Sequence, residues 1–315
     1  MIHFPKSFDD AKRALAAGGE VRAGGSELLD RKRRGLPIGE PVDLRDLAGL
    51  DDIRGKNGAL HLGAMVRIRA IAESEDVRRA YPALAAAAGA LATPQIRAVA
   101  TLGGNLLQHP RCPYYFGASP HCLRTGGAIC GARTGDPARL GSFALGPCLV
   151  SHPSTLATAL LAHDATVAVQ GGGERPIQAL LGAGGDPARQ HRLIAGEILT
   201  SVVLPPPHPG ERAAYVRVTG RTHAPEWPLV EVVARLPFEG HCLHSVRIAA
   251  GGVAPIPLRL RSVETGLEGS HGDRESLAAA ASLAGEGADP LPTAGFRIDL
   301  LAGATLEALE RAAAA

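Results

Sequence analysis

Four of the five cysteines, Cys112, Cys122, Cys130 and Cys148, fall within one 37-residue stretch in the spacing C-x9-C-x7-C-x17-C, and Cys242 lies far from them. Thiolates are soft ligands, so four of them in a glycine-rich segment can wrap a 4Fe-4S cluster or a zinc ion. No CxxC pair occurs, which separates the pattern from zinc ribbons and ferredoxin runs. Buried or disulfide-bonded cysteines stay open as the plain alternative. Two glycine turns are a second candidate for chemistry: AGGSELL at residues 23–29 and ATLGGNL at 100–106, each read as the end of a strand. Glycine reaches positive φ and lets a backbone amide approach a ligand closely, so such turns can cradle phosphate oxygens, with Ser26, Thr101 and Asn105 adding side-chain donors. Two cradles can share one pyrophosphate, although paired glycines also serve simply to turn the chain. Neither turn matches GxGxxG or GxxxxGK, so Rossmann and P-loop nucleotide binding lose support.

Both sets of residues need elements to hold them. Ser7 followed by Asp9, Asp10 and an apolar-periodic run predicts a capped helix ending at Gly18-Gly19. Val21 to Gly25 reads as a strand and Glu27 to Arg33 as the helix beyond its turn. Short strands are expected at Val42–Leu44, Ile53 and Leu60–Leu62, and helical spacing returns at Val66 to Ser74 and again, alanine-rich and buried, over 77–92. From Gln108 to Pro147 hydrophobic periodicity disappears, and a structureless loop that long is normally functional or disordered. A helix and strand follow at Leu156 to Val169, and a strand at Ile194 to Leu204. Pro205-Pro206-Pro207 with Pro209-Gly210 marks a hinge. Strands at Tyr215–Val218, Val230–Leu236 and Ser245–Val253, then helices at Arg274–Ala284 and Thr305–Ala314, predict a second, α+β domain.

The 315 residues, 45% hydrophobic and 20% charged, are ample for a buried core and two or three domains. A net charge of +2, with 33 basic residues scattered among 31 acidic ones, offers no basic field for a phosphate backbone, so nucleic acid is not the expected partner. The longest apolar runs, such as Ala83 to Ala92, fall short of the roughly 20 residues needed to cross a bilayer. The charged N-terminal segment does not read as a signal peptide, so the expected location is the cytoplasm, or the periplasm through export with a signal-bearing partner.

AGGSELL, LGAMVRI (62–68), TPQIRAVATLGGNL (93–106), GEILTSVVLP (196–205), YVRVTGR (215–221) and GGVAPIPLR (251–259) occur in the order seen in the FAD-binding subunits of the molybdenum hydroxylases. The chain resembles that family, which includes xanthine dehydrogenase, carbon monoxide dehydrogenase and aldehyde oxidoreductases, over nearly its whole length. The resemblance implies an α+β fold. A two-part FAD-binding domain of the vanillyl-alcohol-oxidase (PCMH) type would span 1–204, split near residue 55 and carrying a cysteine-rich 4Fe-4S insertion at 108–150. A smaller α+β domain of the CO dehydrogenase flavoprotein type would span 210–315.

Site residues follow from the same resemblance. Ala23, Gly24, Gly25, Ser26 and Glu27, running on to Leu28, together with Thr101, Gly103, Gly104 and Asn105, resemble two loops that hold the FAD pyrophosphate by backbone amides. Leu199 resembles the residue whose backbone lies against the flavin ring. Arg217 falls where relatives commonly carry a lysine near the isoalloxazine edge, and either cation would stabilise an anionic reduced flavin. Ser154 and Thr155 stand where relatives read Pro-Ser-Asp, so the aspartate that accepts hydrogen bonds from the cofactor is a threonine here. GNLLQHPRCPYYF (104–116), Cys122, Cys130 and Cys148 just before SHPS resemble an insertion of 4-hydroxybenzoyl-CoA reductase and periplasmic aldehyde oxidoreductase subunits. There it holds an additional 4Fe-4S cluster, which implies that cluster's four ligands here. His109, His121 and His152 are read as locally bonded loop residues, Tyr114 and Tyr115 as loop anchors or a cover for the cluster, and Cys242 as an ordinary thiol. Arg31-Lys32-Arg33-Arg34 is read as a solvated helix face or a contact between subunits.

The implied function is electron transfer. Substrate is oxidised at molybdopterin in a large subunit, 2Fe-2S clusters in a small subunit carry the electrons, and FAD here delivers them to an external acceptor. No catalytic acid or base is required of this chain. The rival reading, motivated by Thr155, is an assembly subunit that keeps its Fe-S cluster but has a decayed flavin site. A self-sufficient flavin oxidoreductase is disfavoured for want of a substrate domain.

Overall fold

A computed structural model describes residues 1–117, 122–221 and 225–315; His121 lies outside the described residues. Ser7 caps the first helix, Phe8–Ala16, by accepting from the Asp10 amide at 3.2 Å, and Gly18 leaves it at φ +94°. Strand β1 (Gly19–Arg22) then runs parallel to β2 (Glu40–Asp43), with the helix Ser26–Arg33 as the crossover between them. β1 stops at Arg22, short of Gly25, because Gly25 takes φ +75° to turn the chain into that helix.

The middle of the chain is a five-stranded antiparallel sheet, in the order β3 (Ile53–Lys56), β4 (Ala59–Gly63), β7 (Ile198–Leu204), β5 (Thr166–Gln170) and β6 (Gly173–Pro176). Its apolar residues share one core with the helices Ile68–Glu73, Pro82–Ala90 and Thr155–Ala162. The run 77–92 is not one helix: Glu75–Ala80 ends at Tyr81, whose ψ is 60°, and a new helix starts at Pro82. Proline donates no amide and restricts the residue before it, so the helix breaks there.

The second half carries another antiparallel sheet of β8 (Glu211–Val218), β9 (Val230–Glu239), β10 (Cys242–Leu243), β11 (Arg247–Gly251) and β12 (Leu258–Arg259), in which β9 pairs with β8 on one edge and with β10 and β11 on the other. Both faces of this sheet are covered. Val230, Val232, Ala234 and Leu236 join a core with the helix Phe296–Ala313, while Val233 packs into the core of the first sheet. That double burial explains why Val232, Val233 and Ala234 follow one another without a polar residue between them. The terminal helix begins at Phe296, earlier than the expected Thr305. Gly303 weakens the sequence signal, but Leu301, Ala304, Ala308 and Leu309 pack fully enough to override it.

The cysteine-rich segment is irregular apart from a short helix, Pro113–Phe116, and single 3-10 turns at Leu123–Thr125 and Gly131–Arg133. It is docked onto the body: the Ser142 amide donates to the Val253 carbonyl at 2.7 Å, and the Arg297 guanidinium reaches the carbonyls of Ala138, Leu229 and Gly252. No helix among the described residues is long and apolar enough to cross a membrane.

Candidate functional site: a dinucleotide cleft beside a cysteine nest

A cleft of about 870 Å³ opens where the β1 turn, the ends of β4 and β7, the second glycine loop and the segment after β8 meet. Of the residues singled out for the cofactor, Ala23, Gly24, Gly25, Ser26, Glu27, Leu28, Thr101, Gly103, Gly104, Asn105, Thr155, Leu199 and Arg217 line it. Ser154 does not. It is 1% exposed and works from behind, accepting from the Ala157 amide at 3.0 Å as a helix cap and donating to Asn105 Oδ1 at 2.7 Å.

The two glycine loops differ. In the first, the amides of Gly24, Gly25, Ser26, Glu27 and Leu28 have no acceptor among the described residues, and the helix Ser26–Arg33 has no side-chain cap. Free amides at a helix N-terminus are an anion site by construction. Gly24 is required there because a Cβ would sit 2.1 Å from the Val99 carbonyl oxygen, the point where the two loops touch. In the second loop the glycines lie inside a short helix, Leu102–Leu106, and no strand precedes them. Most of its amides are spent on protein acceptors: Leu102 on Val66 O, Gly103 on Ala64 O, Gly104 on Thr101 Oγ1 and Asn105 on Thr101 O. Besides the Thr101 amide, that loop therefore offers mainly side chains, namely the Thr101 hydroxyl and the Asn105 NH2 group, neither of which donates to a partner among the described residues.

Leu199 sits where the pairing of β7 with β5 shifts register, an extra residue that bends the strand toward the cleft. Arg217 reaches from β8 to the carbonyls of Ala90 and Glu226, tying the cleft's far wall to the helix Pro82–Ala90. Thr155 is 3% exposed, and β9 brings the buried Glu231 up behind it. Glu231 escapes sequence reasoning because it stands in an apolar run far along the chain. Trp227, the chain's one tryptophan, also lines the cleft, and its rarity in a sequence only 3% aromatic was a usable signal.

Between cleft and cysteines lies a bonded charge cluster. Arg31, expected in a solvated run, is 3% exposed and donates to Glu20 at 2.7 Å and to the His109 ring. Glu27 lies 3.2 Å from His109 Nδ1. Burial pushes its carboxyl up, but His109, Arg31 and Arg111 outweigh that and hold it below the usual range. Arg111 donates to Asp30 at 2.6 Å and stacks under Trp227. His109 itself stacks on Tyr115, so one set of contacts joins the first glycine loop to the cysteine segment.

Cys112, Cys122, Cys130 and Cys148 are unpaired, buried and gathered in one cluster with Tyr115, Leu140, Leu149 and Val150. The neighbouring Cys130 and Cys148 thiols act on one another, Cys130 being held below its ordinary value and Cys148 pushed above it. Burial pushes the Cys112 thiol up. Among the described residues no three His, Cys, Asp or Glu side chains converge to hold a single metal ion. Buried His152 accepts from the Ser154 amide, as a locally bonded residue should. Cys242 is half-buried, 3.7 Å from His271.

The profile of the FAD binding domain in molybdopterin dehydrogenase matches residues 1–207, and that of the CO dehydrogenase flavoprotein C-terminal domain matches residues 214–312. The chain belongs to the FAD-binding medium subunits of the molybdenum hydroxylases. Its similarity to the aldehyde oxidoreductase FAD-binding subunit PaoB of Escherichia coli (strain K12) is 35% identity over 86% of this chain and 87% of that one. The structure of carbon monoxide dehydrogenase from Hydrogenophaga pseudoflava shares the fold with a TM-score of 0.77 at 24% identity, covering 99% of this chain and 96% of that one. Quinoline 2-oxidoreductase from Pseudomonas putida 86 shares it with a TM-score of 0.76 at 23% identity, covering 99% and 96%. As a member of this family the medium subunit is an oxidoreductase subunit with FAD as its cofactor, working within a multi-subunit enzyme.

Proposed function

We propose that this medium subunit collects electrons from 2Fe-2S clusters of a small partner subunit, themselves fed by a molybdopterin-binding large subunit, and passes them through FAD to an external acceptor. The observation that carries the reading is the row of unbonded amides from Gly24 to Leu28 at the mouth of a helix, which suits a pyrophosphate and little else of that size. Thr101 and Asn105 would add side-chain bonds. Leu199 and Arg217 would flank the flavin ring, where a cation favours the negative charge of the reduced form. FAD supplies the two-electron chemistry, and the protein supplies position and electrostatics. The domain limits would be 1–204, with its subdomains divided near residue 55 and the insertion at 108–150, and 210–315.

The four cysteines would hold a 4Fe-4S cluster. Four buried, unpaired thiols in one cluster supply the four soft ligands such a cluster needs, and its multi-iron core holds thiolates farther apart than a single ion would. The related subunit PaoB is named for an aldehyde oxidoreductase, and an aldehyde is the substrate class proposed for the complex. A decayed flavin site is the weaker reading, because the amides of the first glycine loop and the Thr101 and Asn105 side chains line the cleft whatever stands at Thr155. An anaerobic visible spectrum of the purified protein with iron and sulfide assays, repeated after Cys122→Ser, tests both cofactors. Flavin bands with about four irons are expected, the iron lost and the flavin kept in the variant; iron without flavin would favour the decayed site, and neither iron nor sulfide would end the cluster assignment.

A further inference from the structure

Glu231 is a buried carboxyl group standing behind the cleft wall that Thr155 and Arg217 line, and the reading above leaves it without a task. It is 1% exposed, and hydroxyls surround it: Thr158 donates to Oε1 at 3.0 Å, Tyr215 donates to Oε2 at 2.9 Å, and Thr155 adjoins it from the cleft side. The fold keeps room for it at a cost to its neighbour, since a Cβ on Gly251 would lie 2.5 Å from Oε1 and 2.2 Å from the Thr158 hydroxyl. Burying a carboxyl group is expensive unless its partners compensate.

The kind of partner is informative. A cation fixes a buried carboxyl group as the anion, whereas hydroxyls rotate: three can donate to a carboxylate, and any one can turn to accept from a carboxylic acid. Glu231 is thus satisfied in either protonation state. The groups facing it are few. β8 presents Tyr215 and, directly across the pairing, Arg217, whose guanidinium is engaged by the carbonyls of Ala90 and Glu226. The helix Thr155–Ala162 presents Thr155 and Thr158, and β11 presents Gly251. Along its own strand Arg235 is held by Glu211 and the Ala162 carbonyl. Desolvation pushes the acid up while the hydroxyls and Arg217 draw it back. Two of these neighbours, Thr155 and Arg217, line the cleft, so charge arriving there is felt by the acid.

We propose that Glu231 is a redox-linked proton site: its carboxylate binds one proton when the flavin in the cleft is reduced and releases it on reoxidation. The proposal rests on the reading that the flavin ring lies at the Arg217 end. Reduction by two electrons and one proton would leave the bound cofactor with a negative charge that offsets the field of Arg217, and a second proton from solvent would then form the O–H bond on Glu231. Reoxidation by the external acceptor returns both electrons and both protons. Glu231 then acts as a positioning residue for charge without touching the reacting atoms.

Two readouts on the full chain, purified with its partner subunits, test this. In potentiometric titrations of the flavin absorbance across a pH series, the wild-type midpoint should fall more steeply than that of Glu231→Gln by about 30 mV per pH unit over the interval in which the acid titrates, one extra proton per two electrons. Reduced-minus-oxidised infrared spectra should show a carboxylic-acid carbonyl band gained on reduction, shifted in Tyr215→Phe and missing in Glu231→Gln. Equal slopes in wild type and Glu231→Gln with flavin bound would overturn the proposal. So would a wild-type spectrum with no carboxylic acid gained, a result that stands even where the variant fails to bind FAD. A wild-type protein with no flavin at all would defeat the reading of the cleft itself, and is told apart by its visible spectrum.

Discussion

His163 closes the helix Thr155–Ala162 with both ring nitrogens buried and unbonded among the described residues, its ring edge-on to Tyr81 at 5.4 Å. Burial holds its pKa well below the ordinary 6.5, and burial likewise takes His152 to about 3 and His191 to about 4. A basic group depressed in the fold stabilises it above the unfolded value. As pH falls below 6.5, the unfolded chain takes up protons that the folded one refuses, at about 1.4 kcal/mol per pH unit for each histidine. Denaturant midpoints should therefore drop between about pH 6.5 and pH 4, and His163→Leu should flatten that drop by about one proton while leaving neutral-pH stability nearly unchanged; an unaltered pH slope would contradict it. At this scale the sequence spoke unevenly. The cysteines, Thr101 and Asn105 stood out by type and spacing, and Arg217 only through the family resemblance. Glu231 and His163 did not, because a single polar residue in an apolar segment acquires meaning only from neighbours on other elements.

Elements meet through a few buried arginines. Arg235 on β9 donates to both oxygens of Glu211 at 2.9 and 2.5 Å and to the Ala162 carbonyl at 2.6 Å, joining the C-terminal sheet to the helix that carries Thr155. Removing one partner of a buried pair leaves the other charged and unpaired, so Arg235→Ala should cost about 3–5 kcal/mol. Thermal or denaturant unfolding should show the loss directly, and a change below about 1 kcal/mol, the range of a surface pair, would refute the pair's structural weight. Capping made the first helix legible, since Ser7 and the acidic first turn are local signals. Tyr81-Pro82 was equally local, and a strict reading of proline splits the run 77–92. The helix Arg261–Leu267 and the start of the last helix at Phe296 were hidden because packing on the sheet, rather than propensity, holds them. The second glycine loop read as a strand end because paired glycines signal a turn, whereas here Thr101 caps a one-turn helix in which a Cβ on Gly103 would crowd Ala64 at 3.1 Å.

Across the whole molecule, the cleft is assembled from segments that lie far apart in sequence: the β1 turn, the Thr101 loop, the Leu199 bulge, and Arg217 with Trp227 on the second half. Ordered motifs along the chain were enough to suggest the family, and two family profiles that together span 1–207 and 214–312 agree with that. What the motifs could not convey is which loop donates amides and which donates side chains, because that depends on the acceptors Ala64 and Val66, which the fold alone brings near. The central claim is that the free amides from Gly24 to Leu28 hold the pyrophosphate of FAD. Titration of FAD into flavin-depleted wild type and Gly24→Ala, with circular dichroism to confirm folding, tests it most directly. The account predicts one FAD per chain in the wild type and at least a tenfold weaker, about 1.4 kcal/mol, association in the variant, because the added Cβ must push the loop off the Val99 carbonyl. A folded Gly24→Ala protein that binds FAD as tightly as the wild type would contradict it.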